Sequence, residues 1–100
     1  MALMEISVVP LGTGSTSLSQ YVAEIKSFLE KEGIPHVLTD MGTIIEGDPD
    51  ELFRLARVLH EMPFKAGAKR VYTLIRLDDR RDKEVHLGMK VESVRRRLGK

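Results

Sequence analysis

His36-Val37-Leu38-Thr39-Asp40-Met41-Gly42-Thr43-Ile44-Ile45-Glu46-Gly47-Asp48-Pro49-Asp50-Glu51 is the stretch on which the fold turns. Its two short β-rich runs, His36 to Met41 and Thr43 to Glu46, are separated by Gly42, a spacing that reads as a tight antiparallel hairpin. A helix start follows at once, with Asp48 as cap, Pro49 at the first helical position and Glu51 three residues after the cap. Strand, strand, helix is therefore the order at the centre of the chain.

Upstream, Met4 to Leu11 alternates, with Ile6 and Val8 on one side and Glu5, Ser7 and Val9 on the other, the period-2 pattern of a strand. It runs into Pro10-Leu11-Gly12-Thr13-Gly14-Ser15-Thr16, a turn rich in glycine and hydroxyls. Ser17 as N-cap and Gln20 three residues on form a capping box. Leu18, Tyr21, Val22, Ile25, Phe28 and Leu29 then recur at helical spacing, and Gly33 and Pro35 close this first helix. Downstream, Leu52, Leu55, Ala56, Leu59 and Met62 form the buried stripe of the second helix, which Pro63 is expected to kink or end before Gly67. Arg70 to Leu77 alternates again, with Val71, Thr73, Ile75 and Leu77 against Arg70, Tyr72, Leu74 and Arg76. Leu87, Val91, Val94 and Leu98 mark a narrow seam on a last, very basic helix.

The order β-α-β-β-α-β plus a C-terminal helix predicts one α+β domain over residues 1–100, of the split βαβ or ferredoxin-like kind. Both main helices then cover one face of a four-stranded sheet. The predicted residues of the other face, among them Ser7, Val9, Leu38, Tyr72 and Leu74, are too apolar to stay wet beside so small a core. An even-order homo-oligomer is the expected remedy.

Composition narrows the function. With 42% hydrophobic and 31% charged residues at net charge +1, the 100-residue chain is globular rather than disordered. The even balance hides a polarity: residues 1 to 64 carry four Lys/Arg against ten Asp/Glu (net −6), and residues 65 to 100 carry twelve against five (net +7). Acids interleave the basic part, as in Asp78-Asp79-Arg80-Arg81-Asp82-Lys83-Glu84, and only two tyrosines could stack on bases, so charge pairing within or between subunits is expected rather than nucleic acid. In that run Asp78, Asp79, Arg80 and Arg81 are expected to pair across subunits or cap the last helix. The absence of cysteine removes disulfides, thiolate metal sites and a cysteine nucleophile. No apolar run approaches the roughly 20 residues that cross a bilayer, and the first residues lack a basic-then-apolar leader, so no membrane partner and a cytoplasmic address are expected.

Gly12-Thr13-Gly14 stands between a strand and a helix, where N–H groups bind anions, but it lacks both the third glycine of a dinucleotide loop and a Gly-Lys-Ser/Thr ending. The hydroxyls of Ser15, Thr16 and Ser17 could instead face a small polar ligand at the helix start. His36, His60 and His86 are widely spaced, fit no metal-ligand pattern and read as surface histidines. No Ser/His/Asp set or carboxylate pair has a defensible spacing, so no catalytic residue, metal or cofactor is expected.

Five separated motifs then come together: Val9-Pro10-Leu11-Gly12 with Ser15-Thr16-Ser17-Leu18-Ser19 and Tyr21-Val22, Met41-Gly42-Thr43 with Ile45-Glu46-Gly47, Gly67-Ala68-Lys69-Arg70-Val71, Asp78-Asp79-Arg80-Arg81-Asp82, and Lys90-Val91-Glu92-Ser93-Val94. From about Ile6 to Leu98 the chain closely resembles the thiamine-binding protein family, small ferredoxin-like proteins long regarded as uncharacterised. The resemblance implies a homo-oligomer, commonly a tetramer of sheet-paired dimers, that binds thiamine or its hydroxymethylpyrimidine part without catalysis, for storage, sensing or delivery. Pro63 departs from it, standing where the family more usually has helix formers. An aminopyrimidine joined to a cationic thiazolium needs hydroxyls, an apolar slot and a carboxylate. For such a ligand the hairpin offers Thr39 and Thr43, then Leu38, Met41 and Ile45, and Glu46 beside Gly42, with Tyr21 as a stacking lid. The expected pocket therefore lies between Leu38 to Glu46 and Ser15 to Tyr21, close to a subunit boundary. The alternative is an oligomeric regulatory module that recognises another small anion or metabolite at the Gly12 to Ser17 turn.

Overall fold

A computed structural model describes residues 1–99. The elements follow the expected order: β1 (Ala2–Leu11), α1 (Ser19–Lys31), β2 (His36–Thr39), β3 (Gly42–Gly47), α2 (Pro49–Lys65), β4 (Arg70–Asp78) and α3 (Met89–Arg97). The four strands form one antiparallel sheet in the order β2-β3-β1-β4, the ferredoxin-like arrangement. Strands β2 and β4 are its edges.

Alternation in β1 sorts the sheet into two faces. Ala2, Met4, Ile6, Val8 and Pro10 are buried beneath the helices, and Leu3, Glu5, Ser7 and Val9 point to the other side. Registered partners share a face, so Ile45 and Thr43 of β3 go with Met4 and Ile6, while Ile44 goes with Glu5. On β4, Arg76, Leu74 and Tyr72 stand opposite Glu5, Ser7 and Val9 on the uncovered face. Leu38 pairs with Thr43, which puts it on the helix side at the sheet edge and not on the open face expected of it.

The core joins Met4, Ile6 and Ile45 to Ile25 and Leu29 of α1 and to Leu52, Leu55, Ala56 and Leu59 of α2. Leu52, Leu55 and Leu59 are fully enclosed, each worth about 1.5 to 3 kcal/mol relative to exposure. Gly33 and Gly67 adopt positive φ and end their helices, with Ile34 N–H donating to Leu29 O and Ala68 N–H to Pro63 O.

Several local expectations are corrected. Helix α1 begins at Ser19 with Leu18 at its N-cap and no side-chain cap bond, because Ser17 Oγ turns to Ser19 Oγ at 3.2 Å. Asp48 does occupy the N-cap of α2, in extended conformation, yet its side chain makes no capping bond, and Glu51 pairs with Arg54 instead of reaching back. Pro63 does not end α2: the helix continues two residues past it to Lys65, with the proline ring fully buried. The hairpin turns at Asp40-Met41, and Gly42 is the first residue of β3, paired with Thr39. None of α3 is buried among the described residues, and its expected seam is open, with Val91 57%, Val94 50% and Leu98 64% exposed. This unpacked helix helps make the molecule long, 47 × 29 × 23 Å, with a radius of gyration of 15.0 Å against about 13 Å for a compact domain of this size.

Candidate functional site

The uncovered sheet face carries a concavity near the hairpin tip. A cavity of about 660 Å³ is lined by Glu5 and Ser7 of β1, Leu74 and Arg76 of β4, Thr39 and Met41. β-pairing places Glu5 opposite Arg76 and Ser7 opposite Leu74, so one carboxylate, one guanidinium, one hydroxyl and one aliphatic side chain share four adjacent positions. Arg76 Nε and Nη2 both donate to Glu5 Oε1, at 3.0 and 2.6 Å. Oε2 is left without a hydrogen bond among the described residues, and so is the Ser7 hydroxyl. A neutral or cationic heterocycle with amino donors could meet both. A smaller cavity of about 360 Å³ continues this face past Glu5 and Arg76 toward Leu3, Asp78 and Lys90.

The hairpin residues expected to hold the ligand do not act as one group. Thr43 and Ile45 are buried on the helix side, 6% and 0% exposed, so their side chains belong to the core. Leu38 shares that side at the edge. Thr39 reaches the open-face cavity, but its Oγ1 donates to Gly42 O at 2.9 Å and accepts from the N–H groups of Met41 and Gly42 at 3.2 Å, closing the turn. Met41 is 83% exposed at the cavity rim. Gly42 is glycine for a steric reason: a Cβ there would lie 3.0 Å from Ile6 O.

Glu46 is on the open face but already engaged. Its Oε1 accepts from Leu87 N–H at 2.8 Å and lies 3.3 Å from His86 Nδ1, which fastens the approach to α3. Tyr21 lines a separate cavity of about 640 Å³ with Leu11, Gly12, Thr13 and the Ala66 to Arg70 segment, so it is not a lid over the hairpin. Ser15 and Ser17 bond locally: Ser17 N–H donates to Ser15 Oγ at 3.0 Å, and Thr13 Oγ1 donates to Ser15 O at 3.2 Å. Thr16 is exposed beside them.

Glu5, Ser7, Leu74 and Arg76 were the residues that sequence reasoning passed over as site members. Strand parity was the available signal. Residues two apart share a face, so Thr43 and Ile45 had to part from Glu46, and the polar Glu5 and Ser7 had to face the same side as Arg76.

The histidines are also more engaged than surface residues. His60 Nδ1 lies 2.7 Å from Thr73 Oγ1 and its ring meets Phe64 edge-on at 5.5 Å, tying α2 to β4. His36 is held between Ile34 O at 2.7 Å and Lys26 Nζ at 3.1 Å. In the loop after β4, Arg80 pairs with Asp82 and Arg81 with Asp79. These guanidinium hydrogen bonds hold both carboxyls below their ordinary range. No group of three or more metal-binding side chains occurs among the described residues.

These features define a small ferredoxin-like α+β domain whose uncovered sheet face carries a largely apolar cavity with a few polar groups. The chain belongs to the thiamine-binding protein family, whose model matches residues 4–95. It is 45% identical to the UPF0045 protein YqgV of Bacillus subtilis (strain 168), over 98% of each chain. A UPF0045 protein of Methanothermobacter thermautotrophicus is 44% identical over 98% of this chain and all of its own length. Among solved structures, hypothetical protein MJ1052 of Methanocaldococcus jannaschii superimposes with a TM-score of 0.80 at 30% identity, covering 93% of this chain and 94% of that one. A proposed thiamine biosynthesis/salvage protein of Thermotoga maritima, TM0486, shares the fold with a TM-score of 0.75 at 19% identity, covering 94% and 98%.

Proposed function

We propose that this protein binds thiamine or its hydroxymethylpyrimidine part, without transforming it, in the open-face cavity of an even-order homo-oligomer. The family supplies the ligand class, and the observation that carries the location is the grouping of Glu5, Ser7 and Leu74 around one concavity of suitable size. The free Glu5 oxygen accepts from the aminopyrimidine or balances the thiazolium charge, Ser7 completes the polar contacts, and Leu74 and Met41 flank the rings. In the lone chain this cavity is open to water, and a second copy laid on the sheet face would close it. Support for such a copy comes from the exposure of Tyr72 and Leu74, 54% each, and of Val37, 45%, on that face, and from the unpaired β4 edge. Storage, sensing and delivery of the vitamin are the roles a binding protein of this kind serves, with the cytoplasm as its proposed address.

A second reading is favoured by one observation. Lys69 and Arg70 line the same cavity as Gly12 and Thr13, so a small anion is the ligand that cavity would take if the protein is a regulatory module. A thermal-shift panel of thiamine, hydroxymethylpyrimidine, sulfate and nucleotides separates the two. Ligand at 100 times its Kd adds about 2.7 kcal/mol of stability. Thiamine or the pyrimidine should raise Tm; a rise with sulfate or nucleotides alone that is lost in Lys69→Ala would move the function to the second cavity.

A further inference from the structure

The loop after β4 and one side of α3 enclose a cleft of about 330 Å³ with an unusual charge pattern. Lys83, Lys90, Arg96 and Arg97 line it, and none of the four makes an ion pair or hydrogen bond among the described residues. Elsewhere Lys26, Arg54, Arg57, Arg76 and Arg81 each hold a carboxylate, and among the described residues the cations left without one are not gathered four to a cleft. Arg80, the fifth cation of the cleft, is taken by Asp82, and Asp78 is the only acid in the lining. Val85, Met89 and Val94 give the cleft apolar walls, in which charge–charge interactions are screened less than on an open surface. Four unmatched cations around one small concavity fit a multivalent oxyanion. They do not fit a polymer, because the cleft is short and the rest of the chain is acidic.

Position supplies the second argument. Lys90 lines both this cleft and the smaller cavity of about 360 Å³ beside Glu5 and Arg76, and Asp78 does the same. Glu5 and Arg76 in turn line the cavity at the hairpin end. The concavities thus share residues in sequence, from a hydroxyl- and carboxylate-bearing end to a cationic one. Along β1 the run from Ser7 to Leu3 is about 13 Å at strand rise, the scale of a small molecule with two rings and a tail.

We infer that the α3 cleft receives the phosphate end of a phosphorylated ligand whose ring system lies on the sheet face, so that the preferred form of the vitamin is a phosphate ester. The identity of the ring rests on the thiamine reading; the oxyanion preference rests on the charge pattern alone. Lys90 is the junction, and Arg97 with Arg96 and Lys83 surrounds the terminal phosphate.

The test is calorimetry with three probes, thiamine, thiamine diphosphate and inorganic diphosphate, on the wild type, an Arg96→Ala/Arg97→Ala variant and an Arg96→Lys/Arg97→Lys variant, with light scattering to check assembly. Both residues lie on exposed α3, so folding should survive. The wild type should bind thiamine diphosphate at least tenfold more tightly than thiamine, with a margin that shrinks as salt rises. The alanine variant should bring the two to parity with thiamine affinity unchanged, and the charge-conserving variant should keep the margin. Equal binding of the two forms by the wild type, or a margin that survives in the alanine variant, would overturn the inference while leaving thiamine binding in place. Inorganic diphosphate bound by the wild type and lost in the alanine variant, with no thiamine form bound, would sustain the oxyanion cleft and overturn the vitamin reading instead.

Discussion

Gly42 is fixed by a backbone carbonyl and not by a ligand. Gly42→Ala drives a methyl to 3.0 Å from Ile6 O, and neither strand can move without disturbing the β1–β3 ladder. Destabilisation of about 1 to 3 kcal/mol is expected, read as a lower urea midpoint at unchanged m-value; a midpoint equal to wild type would show that the strands yield freely. Glu46 makes a different demand, since its carboxylate holds the Leu87 amide. Glu46→Ala should raise hydrogen exchange at that amide by roughly tenfold or more, the loss of a charge-assisted bond of about 1.5 to 3 kcal/mol, and unaltered protection would mean α3 is held by something else. The pairs Arg80–Asp82 and Arg81–Asp79 depress the folded-state values of their carboxyls. What they contribute is therefore present at neutral pH, above the unfolded carboxylate value, and lost as pH falls through the depressed folded value. Arg80, Arg81 and Asp82 are exposed and Asp79 is only partly covered, so the stability effect is small, but an NMR titration should show the Asp82 midpoint rising in Arg80→Ala.

At the scale of elements, the order of strands and helices was written in hydrophobic period. Ile6 and Val8 against Ser7 and Val9, and Leu52, Leu55, Ala56 and Leu59 at helical spacing, each match the buried face observed. Contacts that depend on tertiary neighbours were not legible in the same way. The capping bond expected of Ser17 gave way to a contact with Ser19, the first residue of α1, and Pro63 sits inside α2 with its ring buried. The residues of the expected site separate by parity, because a run quoted as one motif divides between two faces of a sheet. Helix α3 was foreseen as a seam, and its apolar residues lie open in the single chain. If a second copy covers that seam, Val91→Asp and Val94→Asp should reduce the assembly by light scattering while leaving the far-UV spectrum intact. If the helix stands in water, both substitutions should fall within about 0.5 kcal/mol of wild type and leave the assembly unchanged.

At the scale of the whole molecule, the exposed sheet face, the unpaired β4 edge, the uncovered α3 and the opposed charges of the two parts of the chain all favour association with copies of itself. An even-order oligomer at micromolar concentration is expected, and Leu74→Asp, a charge at the centre of the bare face, should shift it to smaller species. A wild-type monomer under those conditions would remove the second wall from the proposed cavity. Glu5 is the residue on which ligand placement turns most directly, its Oε2 having no hydrogen-bond partner among the described residues. Calorimetric titration of thiamine into wild type and Glu5→Gln, with assembly size checked in both, measures its part. The expected result is an affinity lower by roughly 5- to 150-fold, the equivalent of about 1 to 3 kcal/mol, with the oligomer preserved; thiamine binding of undiminished affinity to Glu5→Gln would contradict the placement of the ligand on the sheet face.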